Sequence, residues 1–476
     1  MSSVPFLHEL GFWIHIIFIL AFMNYLPYSK HLHVLTSVPN VYFSNLGPVN
    51  KLEKINFEDE TIEKYGVQDV DDFKWKTLLD GYTCTHCGRC TSVCPANTTG
   101  KVLDPRQIII EIRERTMDKM PLMIKSRSGQ TLSEEEQNTL DKKFIGDYQN
   151  IEALWQCTTC GACMQECPVN IEHVPAIVDM RRSLVMMDSE FPTLLQNTFG
   201  NIETNATPWA FSPAERADWA DGTGIQIAAD NPEFDVLFWV GCAGSFDDRA
   251  KKVSVAFSKL MQIAGVNFAI LGTEEQCNGD VARRTGNEYL ADMMVKANIE
   301  TLSQYKFKKI VATCPHCFNT LKNEYPSFGA NYVVIHHSQF IMELVKEGKL
   351  SPGKHGAEID EFTYHDSCYM GRYNNIYDEP RNTLLSVPGL KIKEVNRSKD
   401  KGLCCGAGGG QMFLEEDQGK RVNIERTEEL LETGAKTIAV NCPFCMTMIT
   451  DGVKAKEADD VKVKDISEVI LESIES

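Results

Sequence analysis

The residues best suited to chemistry in this chain are its cysteines. Cys84, Cys87, Cys90 and Cys94 stand in GYTCTHCGRCTSVCPANTTG, and Cys157, Cys160, Cys163 and Cys167 stand in WQCTTCGACMQECPVNIEH. Both runs read Cys-x2-Cys-x2-Cys-x3-Cys-Pro, a spacing that wraps three thiolates around one cubane iron–sulfur cluster and sends the fourth to a neighbouring cluster. By that rule the first cluster takes Cys84, Cys87, Cys90 and Cys167, and the second takes Cys157, Cys160, Cys163 and Cys94. Zinc is the competing reading, but structural zinc sites use two separated pairs and not runs of four. Gly88 and Gly161 occupy matching places and are expected to let the backbone approach the cluster, a role that a plain turn glycine would share.

The remaining cysteines belong to a repeat. FDVLFWVGC ends at Cys242 and EFTYHDSC at Cys368; KKIVATCPHCFNTL holds Cys314 and Cys317, and KTIAVNCPFCMTMI holds Cys442 and Cys445. Between these landmarks EEQCNGDVARRTGN carries Cys277, and GLCCGAGGGQMF carries Cys404 and Cys405. Cys277, Cys314 and Cys317 recur at Cys405, Cys442 and Cys445 with one identical interval. In each copy a short β-branched, apolar run leads straight to a cysteine and a helical pattern such as KVSVAFSKLMQIAG follows. Strand alternating with helix implies a parallel sheet, with ligands at the carboxyl ends of its strands.

The elements that must position these residues follow from the chain as a whole. Its 476 residues suggest about three folded units. The expected fold is a multidomain α+β one. It has an N-terminal membrane anchor helix (1–35), a linker (36–75) and a mainly helical ferredoxin-type domain with two 4Fe-4S clusters (76–190). A second linker (191–233), rich in Pro, Gly, Asn and Asp, is expected to lie over its neighbours through Trp209 and Trp219. Two tandem α/β domains (234–350 and 351–476) complete it. Lys+Arg number 48 against 66 Asp+Glu, a net charge of −18, which excludes a nucleic-acid partner. With 17 cysteines in paired spacings, the soluble part is expected to face a reducing compartment.

The apolar run from Leu10 to Leu26 is at the short edge of a spanning helix. A cleaved signal peptide is disfavoured, because no Lys or Arg precedes Lys30 and no small-residue cleavage site follows. Lys30 then leaves the bulk of a single-pass membrane protein on the cytoplasmic side. His15, His31 and His33 are open to two readings: interfacial or packing residues, or haem ligands. Along a continuous helix His15 and His31 would be about 24 Å apart, so they could not share one haem.

The second repeat, with Cys368, Cys404, Cys405, Gly406, Cys442, Pro443 and Cys445, resembles the cysteine-rich CCG-domain proteins. These include the catalytic subunits of heterodisulfide reductase, the iron–sulfur subunits of glycolate and lactate oxidases, and related membrane iron–sulfur oxidoreductases. The resemblance implies that Cys368, Cys404, Cys405, Cys442 and Cys445 hold an unusual, noncubane 4Fe-4S cluster and form the catalytic site. The first copy departs from the pattern. Gln276 stands where the first cysteine of the pair belongs, leaving Cys242, Cys277, Cys314 and Cys317 to hold a further cluster or zinc, or to act as a redox dithiol. The N-terminus resembles the last helix of a nitrate-reductase-gamma-type cytochrome b domain, which implies haem b, with the preceding helices expected either from a cytochrome b-type membrane subunit as partner or from sequence upstream of this chain's start. By resemblance the chain is an iron–sulfur oxidoreductase, passing electrons between a cytoplasmic donor, an electron-transfer flavoprotein or flavin subunit, and the membrane quinone pool. The alternatives are disulfide reduction at the second copy, or service to a 2-hydroxy-acid oxidase whose flavin would sit on another chain. GAGGG at 406–410 is expected to be a close-packed turn at the cluster and not a phosphate loop.

Overall fold

The computed structural model describes residues 3–29, 31–49, 51–353 and 361–475. Lys30, on which the sidedness argument rests, lies outside them. Helix α1 (Ser3–Tyr25) is apolar over most of its length and exposed along nearly all of it. It does not continue to His31. A 3-10 turn at Leu26–Tyr28 ends it, and α2 (Leu32–Tyr42) begins after that turn. The cause is local: Pro27 has no N–H to donate and its ring disfavours helical backbone in the residue before it. The single continuous helix to His31 is therefore replaced by a helix, a turn and a second helix, which brings the His31 ring within 6.3 Å of Phe22.

Helix α3 (Trp75–Thr83) runs directly into Cys84 and packs against α2. The ferredoxin-type region is helical, as its sequence implied. A long helix, Pro105–Arg127, starts at the Asp104 side chain, which accepts from the Arg106 N–H, and fills the gap between the two cysteine runs. Its Ile108, Ile109 and Ile112 enter a core shared with Leu154, Ile177 and Met180. Each Ile or Leu so buried is worth about 1.5–3 kcal/mol.

The two C-terminal units are wound alike. The first has strands β1 (Gln226–Ile227), β2 (Val236–Trp239), β3 (Phe268–Ile270), β4 (Lys309–Ala312) and β5 (Val334–His336), in the order β1-β3-β2-β4-β5. The second has β6 (Glu361–Tyr364), β7 (Lys391–Lys393), β8 (Thr437–Val440) and β9 (Lys462–Asp465), in the order β7-β6-β8-β9. Every pairing is parallel. Val236–Trp239 is buried at every position, as expected of a central strand covered by helices on both faces. Phe238, Val311 and Phe340 of the first unit share one core with Phe362, Ala439 and Ile470 of the second.

The segment from 191 to 233 is not bare chain. It carries a helix (Thr193–Asn205), a 3-10 stretch (Pro213–Ala220) and the edge strand β1. Trp219 is buried edge-on against Phe238, and Trp209 lies against Phe413 and Phe444 of the second unit.

Candidate metal centres

The two ferredoxin-type motifs are built as a pseudo-symmetric pair. His86 and Thr159, at matching places inside Cys-x2-Cys, both have left-handed backbone (φ 56° and 50°), and so do Gly88 and Gly161 (φ 78° and 74°). Each glycine then starts a short helix that carries the third cysteine, Arg89–Ser92 or Ala162–Gln165. A Cβ at Gly88 would meet nothing nearer than Arg106 at 4.0 Å. The glycine is needed for its φ, not for space.

Cys84, Cys87, Cys90 and Cys167 line one cavity, walled by Arg106, Ile171 and His173. Cys94, Cys157, Cys160 and Cys163 line a second, walled by Leu103, Val174 and Ile177. The fourth cysteine of each run thus sits with the other run's three. Cys90 and Cys163 meet in one apolar cluster, so the two cavities adjoin. Backbone N–H groups point at sulfur: Thr159 donates to Cys157 Sγ at 3.3 Å and Ile171 to Cys167 Sγ at 3.4 Å. Such donors favour a charged sulfur and tune a cluster's potential. Burial pushes the Cys90 thiol up to about 12 and raises Cys84, Cys94 and Cys163 as well. Thiols buried so deeply become thiolates only with a cationic partner such as iron, and a set of four sulfurs around one apolar cavity fits an iron–sulfur cluster.

The second α/β unit brings Cys368, Cys404, Cys405, Cys442 and Cys445 together at the carboxyl end of its sheet. Cys445 Sγ lies 3.3 Å from Cys405 Sγ, and both are within 4.8 Å of a His365 ring nitrogen. Cys368 contacts Cys404, and Cys442 contacts Cys445. Gly406 N–H donates to Cys404 Sγ at 3.3 Å. The glycines beyond it serve close approach: a Cβ on Gly408 or Gly409 would collide with the carbonyl oxygens of Thr158 and Cys157. The glycine run is therefore the seam between this unit and the second ferredoxin-type cavity.

Across that seam Cys160 packs against Cys404, and their proximity raises Cys160 and lowers Cys404. At the far side Cys442 contacts Cys314 of the first unit. Sulfur follows sulfur from Cys160 through Cys404, Cys405, Cys445 and Cys442 to Cys314 and Cys317. Sequence reasoning grouped these residues site by site and missed that the sites touch.

In the first α/β unit Cys242, Cys277, Cys314 and Cys317 line a narrow cavity closed by Phe444 of the second. Glu275 is buried there, accepting the backbone N–H groups of Val240 and Gly241 at 2.9 and 2.8 Å. It pairs with Arg216, whose guanidinium also donates to Cys242 Sγ at 3.3 Å. Contact with Cys277 and this cation bring the Cys242 thiol down to about 6, against the effect of burial. Gln276 is half-buried and its N–H donates to Asn298.

Two arginines that carried no signal in the sequence tie these parts together. Arg181 is fully buried and donates only to carbonyl oxygens, those of Leu154, Trp155 and Cys157, of Arg284 and of Gly409. It joins the ferredoxin-type region to both α/β units. Arg372 donates to the Cys160 and Gly402 carbonyls at 2.8 and 2.7 Å, bracing the seam. Of the three N-terminal histidines, His15 is exposed on α1, and the His31 and His33 rings are 6.4 Å apart at the start of α2.

Comparison with known proteins agrees with this architecture. A cysteine-rich domain, CCG, matches residues 236–322 and 362–450, and a 4Fe-4S dicluster domain matches 83–171. The chain is 43% identical to the EtfAB:quinone oxidoreductase of Syntrophomonas wolfei subsp. wolfei over 98% of this chain and 68% of that one. It is 35% identical to a probable membrane-anchored ferredoxin of Chromohalobacter salexigens, over 88% of this chain and 63% of that protein. It is 30% identical to a subunit of the dihydromethanophenazine:CoB--CoM heterodisulfide reductase of Methanosarcina barkeri, over 83% of this chain and 95% of that one.

Proposed function

As the chain belongs to the CCG-domain iron–sulfur oxidoreductases, we propose that it carries electrons between a soluble electron-transfer flavoprotein and the quinone of the membrane that α1 enters. Its relatives at 43% and 35% identity, an EtfAB:quinone oxidoreductase and a membrane-anchored ferredoxin, support the two ends of this path. The observation that carries the reading is the run of sulfur contacts from Cys160 through Cys404 and Cys442 to Cys314. Cofactor sites whose ligands touch serve transfer between sites better than they serve four separate reactions.

In this reading Cys84, Cys87, Cys90 and Cys167 hold one 4Fe-4S cluster, and Cys94, Cys157, Cys160 and Cys163 a second. Cys368, Cys404, Cys405, Cys442 and Cys445 hold a third, of the noncubane kind. Cys242, Cys277, Cys314 and Cys317 hold a fourth centre. Bound iron–sulfur clusters supply one-electron transfer at potentials set by burial and by N–H groups on sulfur. The chain's own part is to keep the thiols close, dry and oriented: Arg372 and Arg181 fix the loops at the seam, and Glu275 with Arg216 fixes the Cys242 loop. Flavin and quinone each exchange two electrons, so a turnover takes two passages along the path, with the quinone's two protons exchanged with water. The bulk of the chain then lies on the cytoplasmic side.

Iron and acid-labile sulfide on anaerobically purified protein give the first test. About twelve irons per chain support the two ferredoxin-type sites and the second CCG site, and about sixteen add the first; about eight would remove the CCG copies from the path. Reduction of a water-soluble quinone by reduced flavoprotein through the purified chain is the expected activity. A chain that instead reduces a small disulfide with thiol products and ignores quinone would support the second reading, to which the complete five-cysteine set and the heterodisulfide reductase relative point.

A further inference from the structure

Helix α2 is amphipathic the wrong way round for a protein in water. Its polar side chains face the protein: Thr36 Oγ1 donates to the Tyr82 carbonyl at 3.2 Å. Asn40, fully buried, donates to Asp80 Oδ1 at 2.8 Å and to the Val169 carbonyl at 2.9 Å. Its apolar side chains face outward: Val34, Leu35, Val38, Val41 and Tyr42 lie at helical spacing on one stripe, Val38 being 72% and Tyr42 80% exposed. A surface helix of a soluble domain shows the reverse arrangement.

Three further observations say what covers the stripe. The sequence from 31 to 50 contains no Lys, Arg, Asp or Glu. The stripe continues from α1, one 3-10 turn away. Trp75, 60% exposed, stands beside it edge-on to Phe43 at 5.3 Å, and Trp and Tyr gather where a protein crosses from lipid to water. An uncharged helix with an outward apolar face, next to a spanning helix, suits the headgroup–acyl boundary.

We propose that α2 lies in the surface of the bilayer that α1 enters, its apolar stripe among the lipid chains, and that Asn40 thereby holds the first ferredoxin-type site against the membrane. The polar face of α2 fixes which site this is. Asp80 lies four residues before Cys84, and Val169 two residues after Cys167, so both partners of Asn40 flank ligands of that one cavity. Cys87, at the same cavity, is the exposed cysteine among its four. The sites then run in order from the membrane: the first ferredoxin-type site, the second, and the CCG pair. The proposal rests on α1 being a membrane anchor, and it deepens the reading above by naming the site that meets the lipid phase.

The test uses the full chain with its iron–sulfur centres, reconstituted in nanodiscs of phosphatidylcholine doped with a lipid bearing an acyl-chain diazirine. After illumination, mass spectrometry is expected to find lipid adducts on α1 and also on residues 34–42 and Trp75. Adducts on α1 with none on that stripe would overturn the proposal and mark the stripe as the seat of a protein partner. Adducts on neither would overturn the membrane-anchor reading itself. In the same discs a nitroxide on the lipid headgroup is expected to shorten the spin relaxation of the centre held by Cys84, Cys87, Cys90 and Cys167 more than that of its neighbour; the opposite order would overturn the assignment. Val38→Glu with Tyr42→Glu should abolish adducts on α2 while those on α1 remain, and equal labelling of the variant's α2 would also count against the proposal.

Discussion

The two CCG copies share a fold and differ at one cysteine, and that cysteine is the one that faces the ferredoxin-type region. Cys404 of the second copy is the thiol that touches Cys160 of the ferredoxin-type region, and its counterpart in the first copy is Gln276. The first copy therefore has no sulfur in the position that bridges to another site. Among the described residues, its sulfur connection to the array runs through Cys314 and Cys442. In place of a fifth thiol it has a buried Arg216–Glu275 pair that grips the Cys242 loop. The second copy is thus a junction between two neighbours, and the first is a terminus held together partly by charge.

The severest way to break this contrast is to give the second copy the first copy's residue. Cys404→Gln is expected to remove the second CCG centre, a loss of about four irons per chain, and with it the sulfur contact across the seam. Iron and sulfide analysis reads the loss, and the two ferredoxin-type centres should keep their spectra. Gln276→Cys is the converse, expected to leave those counts unchanged or raise them. If Cys404→Gln keeps its full iron content, the junction role is wrong.

Arg181 tests whether the copies are held as one unit. It reaches Arg284 in the first copy, Gly409 in the second and Cys157 beside the second ferredoxin-type site, with all its donors spent on carbonyls. Truncating it strands several buried carbonyl oxygens at once, so Arg181→Ala should cost about 3–5 kcal/mol. The check is the urea midpoint of the iron-loaded protein, with separated transitions expected where the parent shows one. A shift below about 1 kcal/mol would mean that the copies are coupled elsewhere, through the shared core around Phe238 and Phe362.

Arg216 tests the charge-held terminus. Removing its guanidinium in Arg216→Gln takes away a cation 3.3 Å from Cys242 Sγ, so the thiol should titrate above its value of about 6 and the buried Glu275 should be left unpaired. The pH dependence of Cys242 alkylation in metal-free protein, read peptide by peptide, reports the change. Cys368 of the second copy, whose loop is held instead by the Arg381–Asp366 pair, should be unaffected.

Most of the cysteine grouping was legible before any fold was known, because the spacing within each run is local. Cys-x2-Cys-x2-Cys-x3-Cys-Pro fixes which side chains can converge within one turn of chain, and the repeat interval exposes the second unit as a copy of the first. The strand-to-cysteine junctions at Trp239 and Tyr364 were legible for the same reason: a buried parallel strand is a short apolar run. Long-range polar choices left no such mark. Asn40, Arg181 and Arg216 are single polar residues whose partners lie far away in sequence, and no periodicity announces them. The break at Pro27 carried a signal in its proline, outweighed by the apolar run on one side and the His-Leu-His-Val-Leu pattern on the other. The edge strand Gln226–Ile227 is too short for any pattern.

The mildest effect expected is a difference in how the copies respond to pH, and it has opposite sign in each. In the second copy His365 is buried and Arg426 Nε donates to its Nδ1 at 3.0 Å, so burial and that cation push its pKa down to about 3. The unfolded chain takes up a proton there near pH 6.5 and the folded one does not, so this copy loses stability as pH falls from about 6.5 toward 3. In the first copy burial opposes protonation of His316, but Asp280, 2.8 Å away and itself held at about 2 largely by His316 and Arg284, outweighs it and raises the pKa. Stability from His316 is present below about pH 6.5 and is lost as pH rises through its folded value. Amide exchange, corrected for its intrinsic pH dependence, should therefore show β6 and β8 opening more readily at about pH 5.5, and β2 and β4 opening more readily at about pH 8. His365→Gln should flatten the acid response of the second copy and leave the first as it was. If both copies instead weakened together at the same end of the pH range, the shared core and not these two histidines would govern how each copy opens.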